Sequence, residues 1–267
     1  MSLALYLVVE GVTDATLVGK LLRVSRGAKP VKRLDVLPEA VRAWIQDGYK
    51  WPHNDDISRP SVPAPKLFEL PDGRLVALSN GEGITNMRLV ADADQLGLDL
   101  KQVKVSAFGV IGDADKGDRA ARTDELVEVL RLLAPKAPAL PAAAGVILPG
   151  PPALGVLVVP DGEGLTVDTV LDALGQAAYP SLHDAAAAFI APWLDPKGPQ
   201  HSPLCAQLKE LRKPAGPVKA QLAAMAALLK PMKPFSATLD DHEWVTETQA
   251  QHSALSPLLS FLNELLP

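Results

Sequence analysis

Five carboxylates in this 267-residue chain stand where an apolar run gives way to a turn containing glycine. Glu10 follows Leu3–Val9 in VVEGVTD, Asp113 and Asp115 follow Val103–Ile111 in FGVIGDADKG, and Asp161 and Glu163 follow Gly155–Val159 in PDGEG. Like charges gathered at one place repel unless a cation lies between them, and hard oxygen donors suit Mg2+ or Mn2+. Asp113 and Asp115 are two apart on an irregular turn, so both can point at one ion while Ala114 faces away. Each acid has a plainer use as well. Glu10 can cap a turn, Asp115 or Asp118 can cap the next helix, and DGEG can be only a tight turn. Recurrence at three successive strand ends is what favours chemistry.

The elements needed to position these acids are legible in the hydropathy pattern. Leu3–Val9 reads as a buried strand, and Ala15, Val18, Leu21 and Leu22 share the face of a following helix capped by Thr13 or Asp14. KLFEL-PDG-RLVAL predicts a hairpin turning at Asp72-Gly73, running on to the glycine turn Asn80-Gly81-Glu82-Gly83 and a helix carrying Met87, Val90 and Leu96. Val103–Ile111 is a further buried strand, followed by an amphipathic helix over Asp118–Leu133. Gly155–Val159 is another, followed by a helix over Val167–Ala177. Alternation of this kind predicts right-handed βαβ units and an α/β fold: a mostly parallel four-stranded sheet flanked by helices. In such a sheet, function lies beyond the carboxyl ends of the strands.

Two stretches depart from this pattern. Residues 28–74 hold proline-rich, mixed-charge text, one short helix near Pro38–Gln46 and the hairpin, and read as an insertion. Beyond Ser181 the chain is rich in alanine and leucine, with short helices broken at Pro192, Pro196, Pro199, Pro214, Pro217, Pro231 and Pro234. The last of these helices has an apolar face of Leu258, Leu259, Phe261, Leu262 and Leu265. The expected organisation is an α/β domain over residues 1–180 and a helical extension over residues 181–267 packed on it.

Composition narrows the function classes. Aromatic residues make up only 4%, which predicts an aliphatic core, and a single cysteine excludes an internal disulfide framework and a multi-cysteine zinc site. No apolar run reaches bilayer length and the first residues lack a basic region, so the expectation is a cytoplasmic protein with no membrane partner. A net charge of −5 argues against an indiscriminate nucleic-acid coat. Six cations, Lys20, Arg23, Arg26, Lys29, Lys32 and Arg33, nevertheless fall in one stretch without an acid, which taken alone reads as a solvated helix face and loop. Gly81-Glu82-Gly83-Ile84-Thr85-Asn86 has Asn86 where a dinucleotide fingerprint needs its third glycine, and the chain contains no P-loop lysine motif. The histidines lack metal-ligand spacing, and Cys205 reads as a small core residue.

VVEGVTD, followed about a hundred residues later by FGVIGDADKG, resembles the Toprim domain, whose signature is Glu-Gly after the first strand and Asp-x-Asp after a later one. That fold is shared by topoisomerases, bacterial primases, recombination proteins and the nucleases of the overcoming-lysogenisation-defect (OLD) family. The resemblance covers roughly the first 180 residues less the excursion, and it is nearest to small stand-alone OLD-like proteins. It implies metal-dependent cleavage of DNA or RNA, with Glu10, Asp113 and Asp115 holding one Mg2+ or Mn2+. Asp14, four residues after Glu10, and Asp168, with Asp172 one turn later, would hold a second ion; aspartate stands at 168 where the family usually shows glutamate. Lys219, ahead of Lys209 and Lys213, is the implied lysine near the scissile phosphate. The resemblance also implies that the Lys20–Arg33 stretch contacts the nucleic-acid backbone. OLD-type Toprim domains are commonly coupled to ATPases, and this chain carries none. A rival reading is therefore a non-catalytic metal- or nucleotide-binding module partnering a separately encoded ATPase. A third is a scaffold whose helical C-terminus makes a homodimer.

Overall fold

A computed structural model describes residues 2–49, 64–114, 118–160, 166–194 and 208–267. The chain opens with β1 (Ser2–Val9), every residue of which after Ser2 is buried, and α1 (Val12–Arg26). Asp14, in the first turn of α1, accepts a hydrogen bond from the Gly11 N–H at 2.7 Å, so the cap is Gly11 with Asp14 reaching back to it. The expected Thr13 or Asp14 cap is displaced because a carboxylate at the third helical position can satisfy a donor in front of the helix.

The segment expected to be an irregular excursion carries ordered structure on both sides of residues 50–63, which lie outside the described chain. Strand β2 (Lys29–Pro30), α2 (Glu39–Gly48) and β3 (Lys66–Glu69) precede β4 (Leu75–Asn80). Strands β3 and β4 pair antiparallel around Asp72-Gly73, and Gly73 has a φ of 81° that a glycine accepts at no steric cost. Helix α3 (Ile84–Leu100) buries Met87, Ala91, Asp94 and Leu98, leaving Leu96 exposed, so its core face is rotated from the expected one. Then follow β5 (Lys104–Val105), β6 (Ala107–Asp113), α4 (Arg119–Leu133), β7 (Ile147–Leu148), β8 (Ala153–Val159) and α5 (Val167–Ala178). Asp118 caps α4 as expected, its carboxylate accepting the Ala120 N–H at 3.0 Å.

Among the described residues, eight strands form one mixed, mostly parallel sheet of order β2-β3-β4-β1-β6-β8-β7, with β5 beside β1. Its centre, β4-β1-β6-β8, is entirely parallel. Alternate side chains feed two cores. Leu5, Leu7, Val9, Ile111 and Leu157 meet α1, α5 and the C-terminal helices, while Tyr6, Val8, Val110, Val156 and Val158 meet α2, α3 and α4. Both cores are chiefly aliphatic, although among the described residues the two largest fully buried side chains are Trp44 and Trp244.

Among the described residues, the C-terminal helices are α6 (Pro180–Leu194), α7 (Gly216–Leu229), α8 (Phe235–Asp241), α9 (Glu247–Ala250) and α10 (Ser256–Leu265). Pro192 lies inside α6 and does not break it. Helix α10 buries Leu258, Phe261, Leu262 and Leu265 against β6 and β8. Its approach requires glycine on the sheet: a Cβ at Gly155 would come within 2.7 Å of the Phe261 ring. Gly155→Ala is expected to cost about 1–2 kcal/mol, overpacking outweighing the gain in strand propensity. Urea denaturation measures it, and an unchanged midpoint would show that α10 tolerates a looser seat.

Candidate functional site

The order of the central strands locates the site. From β1 the chain passes to β4 on one side and then to β6 on the other, so the carboxyl ends of β1 and β6 flank the point where the connections diverge. Crevices at such switch points are where open α/β sheets bind ligands. Glu10 leaves the end of β1 and Asp113 ends β6. The register pairs Val9 with Ile111 and with Asn80, and Asp113 with Val159, so all four strand ends lie along one rim.

Glu10 and Asp113 are in direct contact through backbone: the Asp113 N–H donates to Glu10 Oε2 at 3.1 Å. Asp113 Oδ1 in turn accepts the N–H of Val167, the first residue of α5, at 2.9 Å. Asp14 sits one turn into α1 beside them. Burial pushes the Asp14 carboxyl up to about 7; the Gly11 N–H pulls the other way, and Glu10 and Asp168 add to the rise. Burial pushes Asp113 up to about 8, reinforced by Asp14, Glu10 and Asp168 against the opposing Val167 N–H. Four acids from three parts of the sequence thus feel one another's charge. Lys219, from α7, reaches Asp168 Oδ2 with Nζ at 3.4 Å, and its charge also lowers the pKa of Asp14.

Other expected site residues fall elsewhere. Asp115 lies outside the described residues, as do Asp161, Glu163 and Cys205. Asp172, one turn beyond Asp168, turns to α6 instead, its Oδ1 3.1 Å from His183 Nε2. Lys213 pairs with Glu210 at 2.6 Å. The basic stretch is largely spent on the protein itself. Lys20 is buried and donates to the carbonyls of Asp240 and His242 at 2.7 and 3.2 Å; Arg23 pairs with Asp240 at 2.5 Å, and Arg26 donates to the Asn263 carbonyl at 3.3 Å. Lys20, Arg23 and Arg26 thus fasten α1 to the C-terminal region through the carbonyls of Asp240, His242 and Asn263 and the Asp240 carboxylate. Lys29, Lys32 and Arg33 are exposed, and Arg33 pairs with Asp35 at 2.6 Å.

Two polar residues that sequence reasoning passed over are buried in apolar register. Arg122, on the α4 face shared with Leu126, Val129 and Leu133, bonds to Glu10 and donates to the Asp113 carbonyl at 2.9 Å. Asp94, on the α3 face shared with Met87, Ala91 and Leu98, accepts from Tyr6 and Tyr49 and from Ser79 Oγ at 3.0 Å. A charge at core spacing is a detectable signal, since a buried charge requires a partner.

The donor chemistry of the rim suits a hard divalent cation: carboxylate oxygens, mutually repelling and poorly hydrated. Among the described residues, no three His, Cys, Asp or Glu side chains converge as a ready metal cage, Asp115 standing outside them. Nor is any described helix long and apolar enough to cross a membrane.

The family model for "Protein of unknown function (DUF3226)" matches residues 5–267. The chain belongs to the DUF3226 family. No curated protein matches this DUF3226 sequence. Among solved structures, it is similar to the hypothetical protein PH0156 from Pyrococcus horikoshii OT3, at 16% identity and a TM-score of 0.55, covering 99% of this chain and 95% of that one. A weaker likeness is to the C-terminal region of the Xanthomonas campestris pv. campestris OLD protein, at 12% identity and a TM-score of 0.38, covering 98% and 96%. At these identities the first likeness speaks to the fold alone.

Proposed function

We propose that this DUF3226 protein is a divalent-metal-dependent phosphodiesterase acting on DNA or RNA. The observation that carries the reading is that Asp14 and Asp113, beside the switch point between β1 and β6, are buried and feel the charges of Glu10 and Asp168, with Lys219 paired to Asp168. The resemblance of VVEGVTD and GDADKG to the Toprim signature supports it from the sequence side. Glu10, Asp14, Asp113 and Asp168, with Asp115, are the residues that would hold Mg2+ or Mn2+. Such an ion supplies a water nucleophile at neutral pH and charge stabilisation at the phosphate.

The chain's own groups divide the remaining work. Asp14 and Asp113, whose protons burial helps retain, would release them as a cation binds. Lys219, with a largely exposed ammonium, can meet the phosphate and balance charge developing there. Lys20, Arg23 and Arg26 are engaged internally and Lys29 lies, through Glu69 and Leu75, level with the start of β1, so it is Lys219 that stands beside the acids.

One observation favours a second reading, a non-catalytic module serving a separate ATPase: Glu10 Oε2 and Asp113 Oδ1 are already engaged by protein donors. Incubating the protein with supercoiled plasmid, single-stranded DNA and structured RNA in Mg2+ or Mn2+ separates the two. Cleavage that Glu10→Gln abolishes is the expected result. Failure to cut any substrate, with a melting temperature still raised by Mn2+, would favour the module. The absence of both responses would overturn both readings.

A further inference from the structure

We infer that Arg122 is the positioning residue of the acid rim, holding Glu10 in the one orientation that a bound cation can use. The inference rests on the metal-dependent reading above and adds to it a residue outside the carboxylate set. Three donors of one guanidinium are committed. Nη2 bonds to Glu10 Oε2, Nε donates to the Asp113 carbonyl at 2.9 Å, and Nη1 donates to Glu125 Oε2 at 2.7 Å. The side chain is only 6% exposed. Its planar fork therefore joins the end of β1, the end of β6 and the surface of α4 in a fixed relation, which a lysine cannot reproduce.

Gly112 precedes Asp113 and lets α4 approach the end of β6: a Cβ there would lie 2.9 Å from a Leu126 methyl, while Arg122 Nη2 at 3.4 Å would be in ordinary contact. With Oε2 of Glu10 bound to Arg122 and to the Asp113 N–H, Oε1 is the oxygen left for an external ligand. Partners that orient ligating carboxylates in this way typically contribute about 10–100-fold to metal affinity.

Charge and geometry make opposite predictions here, which is what makes the test sharp. If Arg122 were only a cation beside the acids, its removal would tighten binding of a divalent ion. If it positions Glu10, removal weakens binding. The experiment is titration of the full chain with Mn2+, reading free Mn2+ by electron paramagnetic resonance without substrate, for wild type, Arg122→Lys and Arg122→Met. Near-ultraviolet circular dichroism monitors the fold. Both variants are expected to bind Mn2+ at least about tenfold more weakly. In a Glu10→Gln background, Arg122→Met is expected to add little, because its effect passes through Glu10.

Should Arg122→Met fail to fold, Arg122→Lys keeps the charge and most of the volume and carries the test alone. Binding by Arg122→Lys as tight as wild type would overturn the positioning role, as would tighter binding by a folded Arg122→Met. In those cases wild type still binds Mn2+, so the metal reading survives. A wild type that binds no Mn2+ sinks the metal reading and the inference together.

Discussion

Asp113→Asn is expected to lower metal-dependent cleavage by about 10³-fold while making the metal-free protein more stable at pH 8. The two effects have one origin. Asp113 is pushed up to about 8 by burial and by neighbouring acids, so above that pH its charge is held against the structure's preference. An amide in its place keeps an oxygen to accept the Val167 N–H, so the junction of β6 and α5 survives. It removes the charge that a cation would use. Structural residues whose loss abolishes activity lower stability when replaced; functional residues held under electrostatic stress do the reverse. Parallel measurement of nuclease rate and urea midpoint at pH 8 checks both halves. Lost activity with lost stability would mark Asp113 as a structural joint, and cleavage retained to within about threefold would remove it from the reacting group.

The second large effect is on stability against pH. Asp14 and Asp113 titrate near 7 and 8 in the folded chain, against 3.8 for an ordinary aspartate. Below about pH 4 both folded and unfolded chains carry these protons, and the two groups contribute no slope. Between about pH 4 and 8 the folded chain retains protons that the unfolded chain has released, so stability falls as pH rises across that interval and levels off above it. The loss from this pair reaches several kcal/mol by pH 9, because each tenfold difference in proton affinity between the folded and unfolded chain is worth about 1.4 kcal/mol. Chemical denaturation of metal-free protein at pH 5, 7 and 9 should show the fall, and Asp14→Asn should flatten it. A divalent cation must displace those protons, so Mn2+ should raise the melting temperature more at pH 8 than at pH 6. Equal stabilisation at the two pH values would show that the cation binds elsewhere.

Much of the framework was legible from periodicity. The central strands and α1, α4 and α5 lie within a few residues of where apolar runs and capping residues put them, because a strand buried on both faces needs an unbroken branched run. Glu10 and Asp113 were legible for the same reason: each marks the place where such a run stops. Lys219 was the loosest expectation, resting on resemblance alone, yet α7 brings it to Asp168. The internal partners of Lys20, Arg23 and Arg26 were not legible, because cations in sequence say nothing about which oxygens lie opposite them. Lys20 and Arg23 meet Asp240 more than two hundred residues away.

Local sequence thus determined the strands, their helices and the acids at the strand ends, since burial and capping act over a few residues. Which acids meet was decided by the crossing of the chain from one side of β1 to the other, a property of strand order that no window of sequence contains. The same holds for Arg122. Its place in an apolar stripe announced a buried partner, but only the pairing of β1 with β6 made that partner Glu10, because a buried guanidinium is stable only where oxygens meet its charge, and here two of them come from the ends of those strands.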